Sequence, residues 1–261
     1  MPFGRTNSIR MIKTVVSAMV ITWLVSACVT TTNRPEQVID LKKAEETHIQ
    51  AGLGYLRQRD KESARRHFYK ALKMNSKSAG AVNGLALVHQ LENNPEEADK
   101  YFRQALGIDS EYSLARNNYG AFLYQQKRYP EAEKHLQIVA KDYTYDRRTM
   151  ALLNLGRTQL KLDKDDEAEK SFKQVLSINY RVPMAQLELA DLYFKKNNYT
   201  NSKFYLDQFG RSARPTPRSL WLGVRLERIF GNKDKEASYA LALKNLHPYS
   251  AEYLEYKKTA E

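Results

Sequence analysis

The stretch NPEEADKYFRQAL, residues 94–106, has close counterparts before and after it in the chain. They read DKESARRHFYKAL at 60–72, YPEAEKHLQIVA at 129–140 and DDEAEKSFKQVL at 165–176. Each counterpart holds an alanine at the same place, and the four alanines are spaced by 34, 34 and 36 residues: Ala64, Ala98, Ala132 and Ala168. A fixed spacing of this size predicts an array of repeated structural units instead of one compact core.

Two more positions recur together with each alanine. A small residue lies 12 positions before it: Gly52, Ala86, Gly120 and Gly156. An aromatic residue or leucine lies four positions after it: Phe68, Phe102, Leu136 and Phe172. A small residue on one helix lets a second helix pack closely, and the large side chain fills the remaining space. The pattern therefore predicts helix–turn–helix units whose apolar faces are buried only when the units stack.

This pattern resembles the tetratricopeptide repeat. The resemblance implies an all-α, right-handed superhelical solenoid of about six repeats with a C-terminal capping helix, which we place at residues 250–261. The fifth repeat has Ser202 in place of the alanine. In the sixth we assign Ala237 and Leu241 to the recurring positions, which leaves Arg225 where a small residue is expected. The repeats are expected near residues 45–78, 79–112, 113–148, 149–182, 183–216 and 218–251.

The N-terminus has the parts of an export signal. A basic head is followed by an uncharged apolar run over residues 14–27, which is too short for the roughly 20 residues of a membrane-spanning helix. Val25-Ser26-Ala27-Cys28 resembles the bacterial lipobox, which implies cleavage after Ala27 and acylation of Cys28. We therefore expect a signal peptide at 1–27, a lipidated cysteine and flexible tether at 28–43, and the repeat domain at 44–261. The alternative is an ordinary secretory signal with an incidental cysteine.

The charge balance is basic but does not predict a nucleic-acid partner. The chain carries 42 Lys and Arg against 30 Asp and Glu, a net charge of +12, and removal of residues 1–27 leaves +9. These charges are interspersed along the predicted helices instead of forming one basic stripe. An acidic protein partner or an anionic lipid surface fits this distribution better.

The sequence lacks the motifs of the common catalytic and cofactor sites. No two of the five histidines have the HExxH spacing, and no phosphate loop or Gly-x-Ser-x-Gly motif is present. Paired acidic residues such as Glu96-Glu97 and Asp165-Asp166 fall where helices begin, where they stabilise the helix end. We therefore predict a protein without enzymatic activity, cofactor, metal or small-molecule substrate.

Binding is predicted on the concave face, which the first helices of such repeats line. The tetratricopeptide groove positions, carried over residue by residue, predict these protein-binding residues: Ile49, Leu53, Leu56, Asn83, Leu87, Asn117, Tyr124, Leu153, Leu160 and Phe194. Ile49, Leu53 and Leu56 together predict an apolar patch in the first repeat, and exposed apolar patches mark interaction sites. The alternative is that the segment around Val38, Ile39 and Leu41 folds back over this patch.

Three stretches carry a closer resemblance: NNYGAFLYQQKRYPEA at 117–132, AGLGYLRQRD at 51–60 and ELADLYFKKNNYTNSKFYLDQF at 188–209. They resemble the PilF/PilW family, the outer-membrane pilotins of type IV pili. Val29 after the cysteine also resembles lipoproteins sorted to the outer membrane.

The family resemblance implies a lipoprotein held on the periplasmic face of the outer membrane by acylated Cys28. Its partners would be the membrane lipid, the lipoprotein sorting machinery and the type IV pilus secretin. It would promote outer-membrane localisation and multimer assembly of that secretin. Two alternatives are a repeat lipoprotein of the outer-membrane β-barrel assembly machine and a regulator of cell-wall synthesis.

Overall fold

The computed structural model describes residues 40–260, and this part of the chain forms thirteen α-helices and no β-strand. The predicted signal peptide, Cys28 and the tether up to residue 39 lie outside the described residues. The helices are α1 Leu41–Arg57, α2 Lys61–Met74, α3 Ala79–Leu91, α4 Pro95–Ile108, α5 Ser113–Gln125, α6 Tyr129–Ala140, α7 Arg148–Lys161, α8 Asp165–Ile178, α9 Pro183–Lys195, α10 Tyr199–Ser212, α11 Pro217–Ile229, α12 Lys233–Leu246 and α13 Ala251–Ala260.

The helices pack in six consecutive pairs, α1 with α2 through α11 with α12, and α13 follows as a single helix. Every turn inside a pair places one residue in the left-handed backbone region, at a spacing of 34, 34, 36, 34 and 34 residues: Arg59, Asn93, Lys127, Asp163, Asn197 and Gly231. Asp60, Asn94 and Asn198 each follow such a residue, and their side chains accept a hydrogen bond from the first turn of the next helix. The predicted all-α repeat solenoid with a C-terminal helix is confirmed.

The recurring small and large residues meet between the helices. The fully buried Phe68 ring of α2 lies between Gly52 of α1 and Gly84 of α3. A Cβ atom at Gly52 would lie 2.5 Å from Phe68 Cε1, and one at Gly84 would lie 2.3 Å from it. Gly156 and Phe172 repeat the contact between Gly52 and Phe68 in the fourth pair. At Gly52 and Gly84 a Cβ would overlap the ring, so these two glycines determine how closely α1 and α3 approach α2.

The sixth pair differs from the predicted register by one residue. Its turn residue Gly231 lies 34 positions after Asn197, so the 34-residue spacing continues into α11 and α12. Ala237 is exposed and Leu241 is 58% exposed, so the assignment of both to interior positions was wrong. The turn fixes where α12 begins, and a shift of one residue rotates a side chain by about 100° around the helix axis. Arg225 therefore does not take the place of a small packing residue. Three buried residues fill the interior positions: Val224, Ala240 and Leu243.

The repeat domain begins earlier than predicted, and its third repeat is two residues longer than its neighbours. Helix α1 begins at Leu41, three residues before the predicted domain start at 44, because residues 41–46 are good helix formers without glycine or proline. Helix α6 has only 12 residues and is followed by the longer connection 141–147. This connection holds the two extra residues of the third repeat.

Candidate functional site

The odd-numbered helices lie side by side and form one face of the solenoid, since α1 contacts α3, α3 contacts α5, and α5 contacts α7, which contacts α9. One position on each helix recurs along this face, one residue after the small packing position. From α1 to α11 it is occupied by Leu53, Leu87, Ala121, Arg157, Asp191 and Arg225. The face is therefore apolar at its N-terminal end and charged at its C-terminal end.

At the N-terminal end this face forms a cavity of about 470 Å³, which we call the leucine groove. Four leucines of α1 and α3 supply its apolar walls, three glutamines add polar groups, and two arginines add positive charge. Gln90 donates a hydrogen bond of 2.7 Å from Nε2 to Oε1 of Gln125, which links α3 to α5 across the groove. The lining residues are Gln50, Leu53, Leu56, Arg57, Leu87, Gln90, Leu91, Gln125 and Arg147.

The sequence predicted three of the four leucines. Leu53, Leu56 and Leu87 line the same cavity, although their role in binding stays a prediction. Ile49 does not join them, because it is only 6% exposed and packs into the core against Gly80 of α3. The apolar patch was predicted to consist of three residues of α1. In the structure it consists of Leu53 and Leu56 of α1 together with Leu87 and Leu91 of α3.

Three more of the predicted groove residues are buried between neighbouring first helices instead of facing the groove. Asn83 accepts a hydrogen bond of 3.2 Å from Nδ2 of Asn118, and Asn117 accepts one of 3.4 Å from Nδ2 of Asn154. Leu153 occupies the same position on α7 and is buried in the central core. This position, which Ile49 occupies on α1, points into the junction between successive first helices, so its assignment to the groove surface was wrong.

The remaining predicted residues lie further along the solenoid. The Arg157 guanidinium lies 5.3 Å from the centre of the Tyr124 ring, and Tyr124 also packs against Tyr129. Leu160 is partly buried and packs against the central core. Phe194 of α9 lies near the C-terminal end, so the structure does not bring it together with the leucine groove.

The predicted fold-back of the N-terminal segment concerns residues that lie mostly outside the described part of the chain. Of the three residues in that hypothesis, only Leu41 is described. It is 58% exposed and is absent from the groove lining.

Charged side chains replace the leucines at the C-terminal end of the face. Arg218 donates from Nη2 to Oε2 of Glu188 at 2.7 Å and from Nε to the Asp191 carboxylate, while Arg157 Nε lies 3.8 Å from Oε1 of Glu188. Burial raises the pKa of the Asp191 carboxyl, although Arg218 opposes this shift. Arg225 completes the cluster, and its guanidinium lies 4.3 Å from the centre of the Phe194 ring.

Sequence reasoning missed two residues of this face, Leu91 in the leucine groove and Arg225 at the opposite end. The one-residue register error placed Arg225 at a packing position, where a charged residue looked like a departure from the pattern. The 34-residue spacing from Asp191 would have identified it, since Leu53, Leu87 and Asp191 occupy the same position.

The described residues contain neither a cluster of metal-binding side chains nor a helix that could cross a membrane. Between residues 40 and 260, no three His, Cys, Asp or Glu side chains lie close enough together to hold a metal ion. His48 and His67 are a pair, with Nδ1 atoms 3.1 Å apart. None of the helices in this part of the chain is long and apolar enough to cross a membrane. The arrangement is suited to reversible binding of a peptide segment through the groove.

Comparison with known proteins identifies the class and then the family. Tetratricopeptide repeat patterns match residues 49–113 and 111–180, so this is a tetratricopeptide-repeat protein. The chain is 40% identical over 215 residues to the type IV pilus assembly protein PilF of Pseudomonas aeruginosa, a match that covers 82% of this chain and 85% of that protein. The chain belongs to the PilF family.

Two solved structures support this assignment. The structure of Pseudomonas aeruginosa PilF matches with a TM-score of 0.80 and 40% identity, and covers 84% of this chain and 99% of that one. The structure of PilW, described as a widely conserved type IV pilus biogenesis factor, matches with a TM-score of 0.71 and 27% identity. That match covers 81% of this chain and 97% of PilW.

Proposed function

We propose that this protein is a pilotin of type IV pilus biogenesis. It is anchored in the outer membrane by acylated Cys28, binds the pilus secretin in the periplasm, and promotes localisation of the secretin and its assembly into multimers. Membership of the PilF family supports the role in pilus assembly. The leucine groove is the observation that carries the binding part of the proposal.

The groove has the chemistry of a peptide site. Its volume of about 470 Å³ falls in the usual range of binding pockets, about 300–1,000 Å³. Leu53, Leu56 and Leu87 can take apolar side chains that recur on one face of a helical or extended segment. Glutamine side chains beside them offer donors and acceptors for the segment's polar groups. Arg57 and Arg147 favour a segment that carries acidic residues.

The anchor and the groove have separate tasks in this proposal. The acyl chains on Cys28 determine where the protein resides, and each buried methylene contributes about 0.8 kcal/mol to membrane binding. The tether over residues 29–40 can reach about 40 Å when fully extended. The groove can therefore meet the secretin at some distance from the membrane surface.

The groove is tested by a double substitution, Leu53→Asp with Leu56→Asp, in cells that lack the wild-type protein. Two carboxylates would have to lose their hydration against apolar side chains of the partner, so binding should weaken strongly. Secretin monomer and multimer are measured by immunoblotting of separated inner and outer membranes. We expect the multimer to disappear and the monomer to collect in the inner membrane.

A matched control is Leu241→Asp with Leu246→Asp, because both leucines are 58% exposed on α12 and lie outside the groove. This control should support normal multimer formation. Thermal melting of both purified variants checks that they fold. Leu53→Ala with Leu56→Ala is a second groove variant, in which the new residues have high helix propensity. A folded groove variant that still assembles the secretin at wild-type levels would overturn the proposal.

A further inference from the structure

Arg225 presents a guanidinium without an acceptor at the C-terminal end of the concave face. Its side chain is half-buried, and its Nε atom is buried without a hydrogen-bond partner. Within residues 40–260, no carboxylate or carbonyl forms an ion pair or hydrogen bond with this guanidinium. Most buried donors in folded proteins have a partner, so an unpartnered arginine at this place needs an explanation.

The neighbouring carboxylates are engaged elsewhere. Arg218 binds both Glu188 and Asp191, and Arg157 approaches Glu188 from the other side. The cluster of these described residues thus holds three guanidinium groups and two carboxylates, which leaves one positive charge in excess. Burial lowers the pKa of the Arg225 guanidinium, an effect that the nearby charge of Asp191 opposes. One singly charged carboxylate from a ligand would balance the cluster.

Two aromatic rings hold the guanidinium in place. Its central carbon lies 4.3 Å from the centre of the Phe194 ring and 5.5 Å from that of Trp221. Trp221 is supported in turn by Tyr256 of α13, at 6.3 Å between ring centres. At these distances the guanidinium can make cation–π contacts with both rings, while its two Nη groups can bind a carboxylate through two parallel hydrogen bonds.

The fold does not require an arginine at this position. The equivalent residues of the first three repeats are Leu53, Leu87 and Ala121, which the same helix pairing accommodates. An unpartnered, half-buried charge lowers stability, and residues that do so are often retained for binding.

We propose that Arg225 binds the carboxylate of an acidic side chain in a protein partner, with an apolar neighbour of that side chain packed on Phe194 and Trp221. This is a second binding point at the opposite end of the solenoid from the leucine groove. The proposal for Arg225 does not depend on whether the partner is a secretin.

The test uses Trp221 as the reporter. The chain has two tryptophans, Trp23 and Trp221, and the proposed cleavage after Ala27 removes Trp23 with the signal peptide, so emission of the mature protein in detergent reports on Trp221 alone. The probes are amidated peptides of sequence acetyl-Ala-Leu-Glu-Leu-Ala and the same peptide with Gln in place of Glu. Trp221 emission and titration calorimetry both measure affinity, and the second does not depend on the environment of Trp221.

We expect the Glu peptide to bind at least about tenfold more tightly than the Gln peptide, which is typical of a hydrogen bond between two charged groups. Arg225→Leu should abolish this difference in affinity between the two peptides. The variant should melt at the wild-type temperature or above, as expected for a residue that is retained for binding. Arg211→Gln, an exposed arginine on α10, is the control and should leave the difference unchanged.

Three results would overturn the proposal. The first is failure of the wild type to distinguish the two peptides, including failure to bind either. The second is undiminished discrimination by Arg225→Leu. The third is binding of a Gln peptide with a free C-terminal carboxylate as tightly as the amidated Glu peptide, which would assign the site to a chain terminus.

Discussion

Gly84→Ala tests whether the packing of the first two repeats is as tight as the structure indicates. A Cβ at Gly84 would lie 2.3, 2.4 and 2.5 Å from three atoms of the Phe68 ring. The ring is fully buried and already touches the Gly52 side of α1, so it cannot move away freely. Overpacking of this kind costs about 1–3 kcal/mol. The higher helix propensity of alanine returns about 1 kcal/mol, so we expect a net loss of about 1 kcal/mol, and of about 2 kcal/mol at most.

Gly210→Ala on α10 is the matched control. No heavy atom outside its own helix backbone and chain neighbours lies within 4 Å of a Cβ at Gly210, so alanine should stabilise the protein by up to about 1 kcal/mol. A further control uses Phe68→Leu, since leucine already fills the equivalent place at Leu136. This smaller side chain should reduce the cost of Gly84→Ala, and the two substitutions should therefore be non-additive.

Urea unfolding followed by circular dichroism measures the overall loss. Repeat arrays lose stability locally, so hydrogen exchange of peptides from α1 to α3 measures where it occurs. Exchange should increase there and remain unchanged in α8 and α9. Because α1 and α3 carry the leucines of the groove, the variant should also bind its partner less tightly. If Gly84→Ala proved as stable as Gly210→Ala, the close packing of Phe68 between the two helices would be refuted.

Two further predictions concern the middle of the solenoid and the N-terminus. Partial burial raises the pKa of Glu169, but hydrogen bonds from Lys173, Lys196 and Tyr193 prevail and lower it from 4.5 to about 2. The folded-state pKa lies below the unfolded one, so this stabilisation is present above about pH 4.5 and is lost as the pH falls towards 2. Glu169→Gln should therefore reduce the urea midpoint at neutral pH and have little effect near pH 2. An equal effect at the two pH values would contradict stabilisation by the ionised Glu169 carboxylate. Cys28→Ser should yield a folded protein that incorporates no labelled palmitate and is missing from the outer-membrane fraction, and normal levels there would contradict the lipid anchor.

The candidate site could be predicted only in part. Leu53, Leu56 and Leu87 were found because tetratricopeptide groove positions follow from the repeat register. Ile49, Asn83, Asn117 and Leu153 were misplaced because the angle between successive first helices determines whether their position faces the groove or the junction. That angle depends on packing across repeats, such as Ile49 against Gly80, which no spacing within one repeat reveals.

By itself, the sequence determined the helices, their pairing and the solenoid. Each of these depends on contacts between residues close in the chain, such as Gly52 with Phe68, so a recurring spacing was enough to predict them. Tertiary structure alone decided which side chains gather at each end of the concave face. It brought Leu91 and Arg147 to the leucine groove and left Arg225 against Phe194 without a carboxylate of its own. Such placements depend on the accumulated rotation from one repeat to the next, which is set by packing and not by spacing.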